Sequence, residues 1–185
     1  MPLSALGEDE LTRRFGDRNT FAIEIGSAEE ESVDLRTVDV FAAGRWLTCD
    51  DNVVFLPQFI GSLNDDLNWL VSPATQKRDK LPFDTLSPIE NHRKMLNVAM
   101  DDNDLYLFHR FMDWGPTADN VSMHMFRSDG VASLPFSFWR ENHHDQSELE
   151  TVFCAELPAH DLLTTLHHAS WKLMWDWIGE RKRRG

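Results

Sequence analysis

The chain has 185 residues, of which 42% are hydrophobic, 11% aromatic and 26% charged. That length suits one domain with its own core, and the composition excludes a disordered polymer, a collagen-like repeat and a low-complexity tract. Acids outnumber bases 31 to 18, a formal charge of −13, which repels nucleic-acid phosphates and anionic membranes and speeds encounter with a cationic partner.

No apolar run approaches the roughly 18 residues needed to span a bilayer. The first residues lack the basic-then-apolar order of a secretory signal. Cys49 and Cys154 stand in no metal or redox spacing. The expectation is a soluble, cytoplasmic protein, one domain over 1–185, without cofactor or metal.

Residues 1–19 are polar and weakly periodic, and read as a short helix or an ordered arm. Phe21–Ile25 places Phe21, Ile23 and Ile25 on one face of a strand. Val38–Leu47 reads as a second strand, broken by Gly44 into a turn or bulge. From Leu56 to Val71 the apolar residues recur at three and four, an amphipathic helix with Pro57 in its first turn and Ser72-Pro73 as its stop. Asn64, Asp65, Asp66 and Asn68 then fall on the wet side. Ser87-Pro88-Ile89-Glu90 is a capping box that opens a short helix. Strands are expected at 96–100, 105–112, 121–126, 131–139 and 151–157. Asp129-Gly130 makes a hairpin turn, and Pro135 argues for an edge or a bulge. His160–Ile178 is a long helix with the stripe Leu162, Leu163, Leu166, Ala169, Leu173, Met174 and Trp177, widened by Trp171, Trp175 and Ile178. Gly179 is the expected stop, and the basic residues 181–185 are compatible with an ordered, disordered or partner-bound tail. The fold class is α+β: helices, the last of them Trp-rich, packed on a largely antiparallel sheet.

Catalytic signatures are missing. There is no G-x-S-x-G, no Walker loop and no G-x-G-x-x-G. Cys49 lies beside Asp50 and Asp51, which blunt its reactivity. Cys154 sits mid-strand as a small hydrophobe does. His143-His144 can bind stray metal, but the sequence offers no second half-site. His160 and His167 are two helical turns apart, about 10 Å of rise and too far for one ion. His109 and His124, on adjacent expected strands, are the least unsuited pair for acid-base work. Of the tryptophans, Trp69 beside Asp65-Asp66, or Trp114 after a strand, suits an interface anchor.

The stretches FAIEIG (Phe21–Gly26) and VDVFAAGRWLTCDDNVVFLPQFIGSLNDDLNWL (Val38–Leu70) place a strand, a Gly-containing hairpin with a Trp, and a helix starting near a Pro. In that order they resemble immunity proteins of bacterial polymorphic toxin and contact-dependent inhibition systems, over roughly residues 20–71. The resemblance implies a non-enzymatic protein that binds one cognate toxin domain and blocks it. A −13 protein complements the basic cleft of a toxin that attacks nucleic acid, so the partner is expected to be basic. The candidate contacts are Asp65, Asp66, Trp69, Asp101, Asp102 and Asp104, with the acids in the place of phosphates. The alternatives are a small enzyme of unknown class and an adaptor for a basic partner. Oligomeric state is not readable.

Overall fold

A computed structural model describes residues 12–72, 82–97 and 104–184, with backbone only at 104 and 105. Among the described residues, two antiparallel sheets and four α-helices form the α+β architecture. The first sheet contains β1 (Arg13–Gly16), β2 (Phe21–Ala28), β3 (Leu35–Ala42), β4 (Arg45–Trp46) and β5 (Val53–Phe55). They lie in the order β1-β2-β3, with β4 and β5 both pairing to β3. Residues 13–16 are therefore an edge strand rather than part of a helix or arm. Gly16, at φ 83°, makes the turn into β2 possible.

Alternation works as the pattern predicts. Phe21, Ile23 and Ile25 of β2 meet Ala42, Val40 and Val38 of β3 on the core side. On the opposite side Glu24 is also buried, held by the guanidinium groups of Arg14 and Arg18. Those two bases hold its carboxyl below the usual carboxylate range.

Helix α1 (Leu56–Val71) has the expected bounds, with Pro57 in its first turn and Leu56, Phe59, Ile60, Leu63 and Leu70 buried. Helix α2 (Pro88–Asn97) begins at the predicted capping box: Glu90 accepts from the Ser87 backbone N–H at 2.8 Å, and Ser87 Oγ accepts from the Glu90 N–H at 3.3 Å. It continues to Asn97, so Leu96 is helical and the strand expected from 96 is not formed there. Residues 105–112 are a second correction. Helix α3 (Asp104–His109) occupies most of them, and only Arg110 pairs as a strand, with His124.

The second sheet consists of β6 (Val121–Met123), β7 (Phe126–Ser128), β8 (Val131–Phe138) and β9 (Phe153–Pro158). β8 is central, with β6 and β7 on one side and β9 on the other. Pro135 is therefore neither at an edge nor at a bulge. β6 and β7 share one register along β8, and the gap between them falls opposite Pro135. There His124 N–H donates to Pro135 O at 3.0 Å, but proline has no N–H to return the bond. Met125 N–H faces the other side of its strand and donates to His109 O at 2.8 Å. The hairpin turn at Asp129-Gly130 forms as predicted, both residues having positive φ.

Helix α4 (Ala159–Arg184) packs on β1, β2 and α1. It runs through Gly179, and the four terminal bases form its last turn. Arg181 pairs with Asp34, and Arg184 donates to Glu30 O at 2.9 Å. No helix among the described residues is long and apolar enough to cross a membrane.

Candidate functional site

Six residues were expected to face a partner, and the structure separates them. Asp65 projects from the solvent side of α1 and joins no ion pair among the described residues. Asp66, its neighbour, turns inward. One carboxylate oxygen, Oδ2, accepts both the Trp114 indole N–H at 2.7 Å and the Met112 backbone N–H at 3.1 Å. Burial pushes its pKa up to about 6, against the two hydrogen bonds that favour the anion. Asp66 is thus a clamp between α1 and residues 112–114, with Oδ2 engaged inside the chain. Trp114 is buried in the core against Phe59 and Phe21, so it anchors nothing outside. Trp69 is half-buried, its ring 5.7 Å from that of Phe108. Asp101 and Asp102 lie outside the described residues, and Asp104 is described in backbone only, opening α3.

The surface that stands out is on α4. Its buried residues Leu162, Leu166, Ala169 and Leu173 form one face. Trp171, Met174, Trp175 and Ile178 also recur at three and four, but at about 100° per residue they fall half a turn away, on the outside. Trp171 and Trp175 are 53% and 62% exposed, and their rings stack at 5.6 Å with 8° between planes. Val71 of α1 is exposed as well, and a groove between α1 and α4 runs past Asn68, Val71, His167 and His168. A second groove, lined by Arg13, Phe15, His168 and Trp171, adjoins it through His168. The expected single broad stripe is therefore two opposed ones. Polar groups flank the outer one: His167 before it, and the Lys172–Asp176 ion pair beside it. A rigid aromatic centre with a polar surround is the usual composition of an interface hot spot.

The expected His109–His124 pair is replaced by a different one. His124 Nδ1 lies 2.7 Å from His92 Nδ1, and His92 Nε2 lies 3.2 Å from Ser137 Oγ. Both rings are fully buried, and burial pushes their pKa values down, to about 4 for His92 and about 2 for His124. The charges acting on His124 are His92, His109 and Arg110, all of which oppose protonation. A Ser-His relay needs a group that stabilises the imidazolium it forms, and the environment here does the reverse. His109 Nδ1 is 3.2 Å from Met125 O.

A further polar group joins the two sheets. Cys49 and Asp50, after β4, meet His143 and His144, between β8 and β9; their donor atoms all lie within 4.8 Å of one another. His143 is buried, stacked on Phe138 at 4.0 Å. Its Nε2–H donates to Glu148 at 3.0 Å, and Glu148 in turn takes Arg45 at 3.2 Å. Burial and the neighbouring Asp50 carboxylate push the Cys49 thiol up to about 12, so as a free thiol it is not a nucleophile. Groups of ligand type therefore do face His143-His144, from Cys49 and Asp50, the former 94 positions before His143.

The fold has a solved counterpart. The structure is similar to that of CdiI from Burkholderia dolosa AUO158, with a TM-score of 0.59 and 18% sequence identity; the match covers 86% of this chain and 99% of that one. This chain accordingly has a CdiI-like fold. No protein-family model and no curated protein sequence matches it.

Proposed function

We propose that this chain is an immunity protein that neutralises a cognate toxin domain by binding it, with the outer stripe of α4 at the centre of the interface. The observation that carries the reading is the stacked, exposed Trp171–Trp175 pair on a CdiI-like fold. A monomeric surface seldom leaves two tryptophans together in water without a use, and truncating such anchors typically costs 2 kcal/mol or more, about 30-fold in affinity.

Charge has a separate role. Most described bases are engaged inside the chain: Arg14 and Arg18 with Glu24, Arg36 and Lys172 with Asp176, Arg45 with Glu148, Arg110 with Asp113, Arg140 with Asp119, Arg181 with Asp34 and Arg183 with Glu180. Asp65, Asp51, Glu31 and Glu141 remain exposed without an ion pair among the described residues. In this reading those acids, with Asp101, Asp102 and Asp104, steer a basic partner, while the tryptophans supply the binding energy. The protein works in the cytoplasm, without catalysis.

The test is co-expression with the product of the neighbouring open reading frame, scored by growth and by co-purification. Rescue by the wild type, lost in a folded Trp171→Ala/Trp175→Ala variant, is the expected result. A harmless neighbour that forms no complex overturns the function. Full rescue by the double variant overturns the surface. Asp65→Lys should slow association and flatten its dependence on salt, leaving the dissociation rate nearly unchanged.

A further inference from the structure

We propose that Cys49, Asp50, His143 and His144 form a binding site for a zinc-class divalent metal ion that staples the β4–β5 connection to the β8–β9 connection. The argument starts from spacing. Cys49 Sγ is 3.6 Å from Asp50 Oδ1 and 3.7 Å from His143 Nδ1, and Nδ1 is 4.0 Å from Oδ1. A tetrahedral zinc ion with bonds of about 2.3 Å to sulfur and 2.0–2.1 Å to nitrogen and oxygen needs ligand separations of about 3.4–3.6 Å. The triangle is already close to that size, and the His144 donor lies within 4.8 Å of the other three to complete it.

The supporting groups point the same way. Glu148 accepts from His143 Nε2, which leaves the lone pair on Nδ1, the nitrogen facing Cys49 and Asp50. A carboxylate behind a histidine is the common outer support of a metal ligand, and Arg45 holds this carboxylate in place. Phe138 stacks on the ring and fixes its plane. Asn120 Nδ2 donates to Cys49 Sγ at 3.6 Å, placing a neutral donor behind the sulfur. Its own Oδ1 is buried without a partner among the described residues. Sulfur and imidazole ligands select zinc-class ions over calcium or magnesium, which prefer all-oxygen sets. Deprotonated Cys49 and Asp50 together balance the charge of a divalent ion, and the thiol proton leaves to solvent on binding.

The probe is Co2+ added to the full chain under reducing conditions, followed by displacement with Zn2+. One equivalent should give a near-ultraviolet sulfur-to-cobalt charge-transfer band with intense visible bands of tetrahedral cobalt, both removed by zinc. Cys49→Ser should abolish the charge-transfer band, and Cys154→Ser should keep it. Glu148→Gln should weaken binding about 10–100-fold. His144→Ala, at an exposed position where folding is not at risk, should weaken binding and shift the visible bands. Zinc should raise the thermal midpoint of the wild type but not of Cys49→Ser. Absence of the band, its survival in Cys49→Ser, or equal binding after His144→Ala with loss only in a His160→Ala/His167→Ala/His168→Ala variant, would overturn the site.

Discussion

Replacing Asp66 with Asn should stabilise the protein at neutral pH. In the folded chain Asp66 keeps its proton up to about pH 6, whereas an unfolded aspartate releases it near pH 4. Between those values the folded state binds more protons than the unfolded one, so the contribution of Asp66 to stability falls as pH rises through that window. Above it the folded protein carries a buried anion at a cost of about 3 kcal/mol relative to the protonated acid. Asparagine imitates the protonated form without titrating. Both donors, Trp114 Nε1–H and Met112 N–H, converge on one oxygen, and a single amide oxygen can accept both. Asp66→Asn should therefore gain about 1–3 kcal/mol at pH 7, with the gain shrinking below about 1 kcal/mol at pH 4. Asp66→Ala orphans both donors beside buried Trp114 and Met112 and no longer titrates, so it should lose about 2–4 kcal/mol at pH 4 and about 2 kcal/mol less than that at pH 7. Urea unfolding of the three proteins, followed by circular dichroism at both pH values, gives the differences directly. A less stable Asp66→Asn protein at pH 7, or a difference independent of pH, would show that the charged hydrogen bonds outweigh burial and refute the reasoning.

Two other outcomes are expected from the same structure. Gly16→Ala would place a Cβ 2.2 Å from Phe21 O at φ 83°, so it should cost well over 2 kcal/mol in denaturant unfolding; a loss under 1 kcal/mol would mean that the β1–β2 turn can rearrange freely. The His92–His124 pair acts oppositely to Asp66: its folded pKa values are depressed, so its contribution is present above about pH 6.5 and is lost as pH falls through the unfolded histidine value toward about 4. With the Asp66 contribution removed in Asp66→Asn, stability measured between pH 7 and pH 5 should decline, and a flat profile there would show that the two imidazoles are not buried as neutral bases.

Local chemistry made parts of the fold readable in advance. The three-and-four spacing from Leu56, with Pro57 where its missing N–H is harmless, located α1; the reciprocal side chains of Ser87 and Glu90 located the start of α2. Segment 105–112 was misread because short apolar stretches alternate acceptably as strand or helix, and packing decides. Pro135 sits inside the sheet because its ring costs the ladder only one donor, at the gap between β6 and β7, while its carbonyl still accepts from His124. Reading Trp171 and Trp175 as a widening of the inward stripe overlooks that their phase along α4 opposes that of Leu162, Leu166 and Leu173, which the spacing already contains. Asp66 was placed in water with Asp65, since nothing local announces that Trp114 reaches back to it across 48 positions. The meeting of Cys49 with His143 is equally non-local and follows only from how the two sheets pack.

The far end of α4 gives the outer stripe a mechanical property. Beyond Trp175, the helix is tied down again: Trp177 Nε1 and Arg181 both donate to Asp34, and Arg36 takes Asp176. The stripe is thus a span supported at both ends, the first resting on β1 and β2 and the second moored to the β2–β3 turn. On the proposed reading, a partner that lands on Trp171 and Trp175 meets a surface held in place before contact, so little ordering entropy should be lost on binding. Cutting the mooring with Asp34→Ala would leave both tryptophans in place chemically while letting their support sway, separating the contribution of stiffness from that of contact.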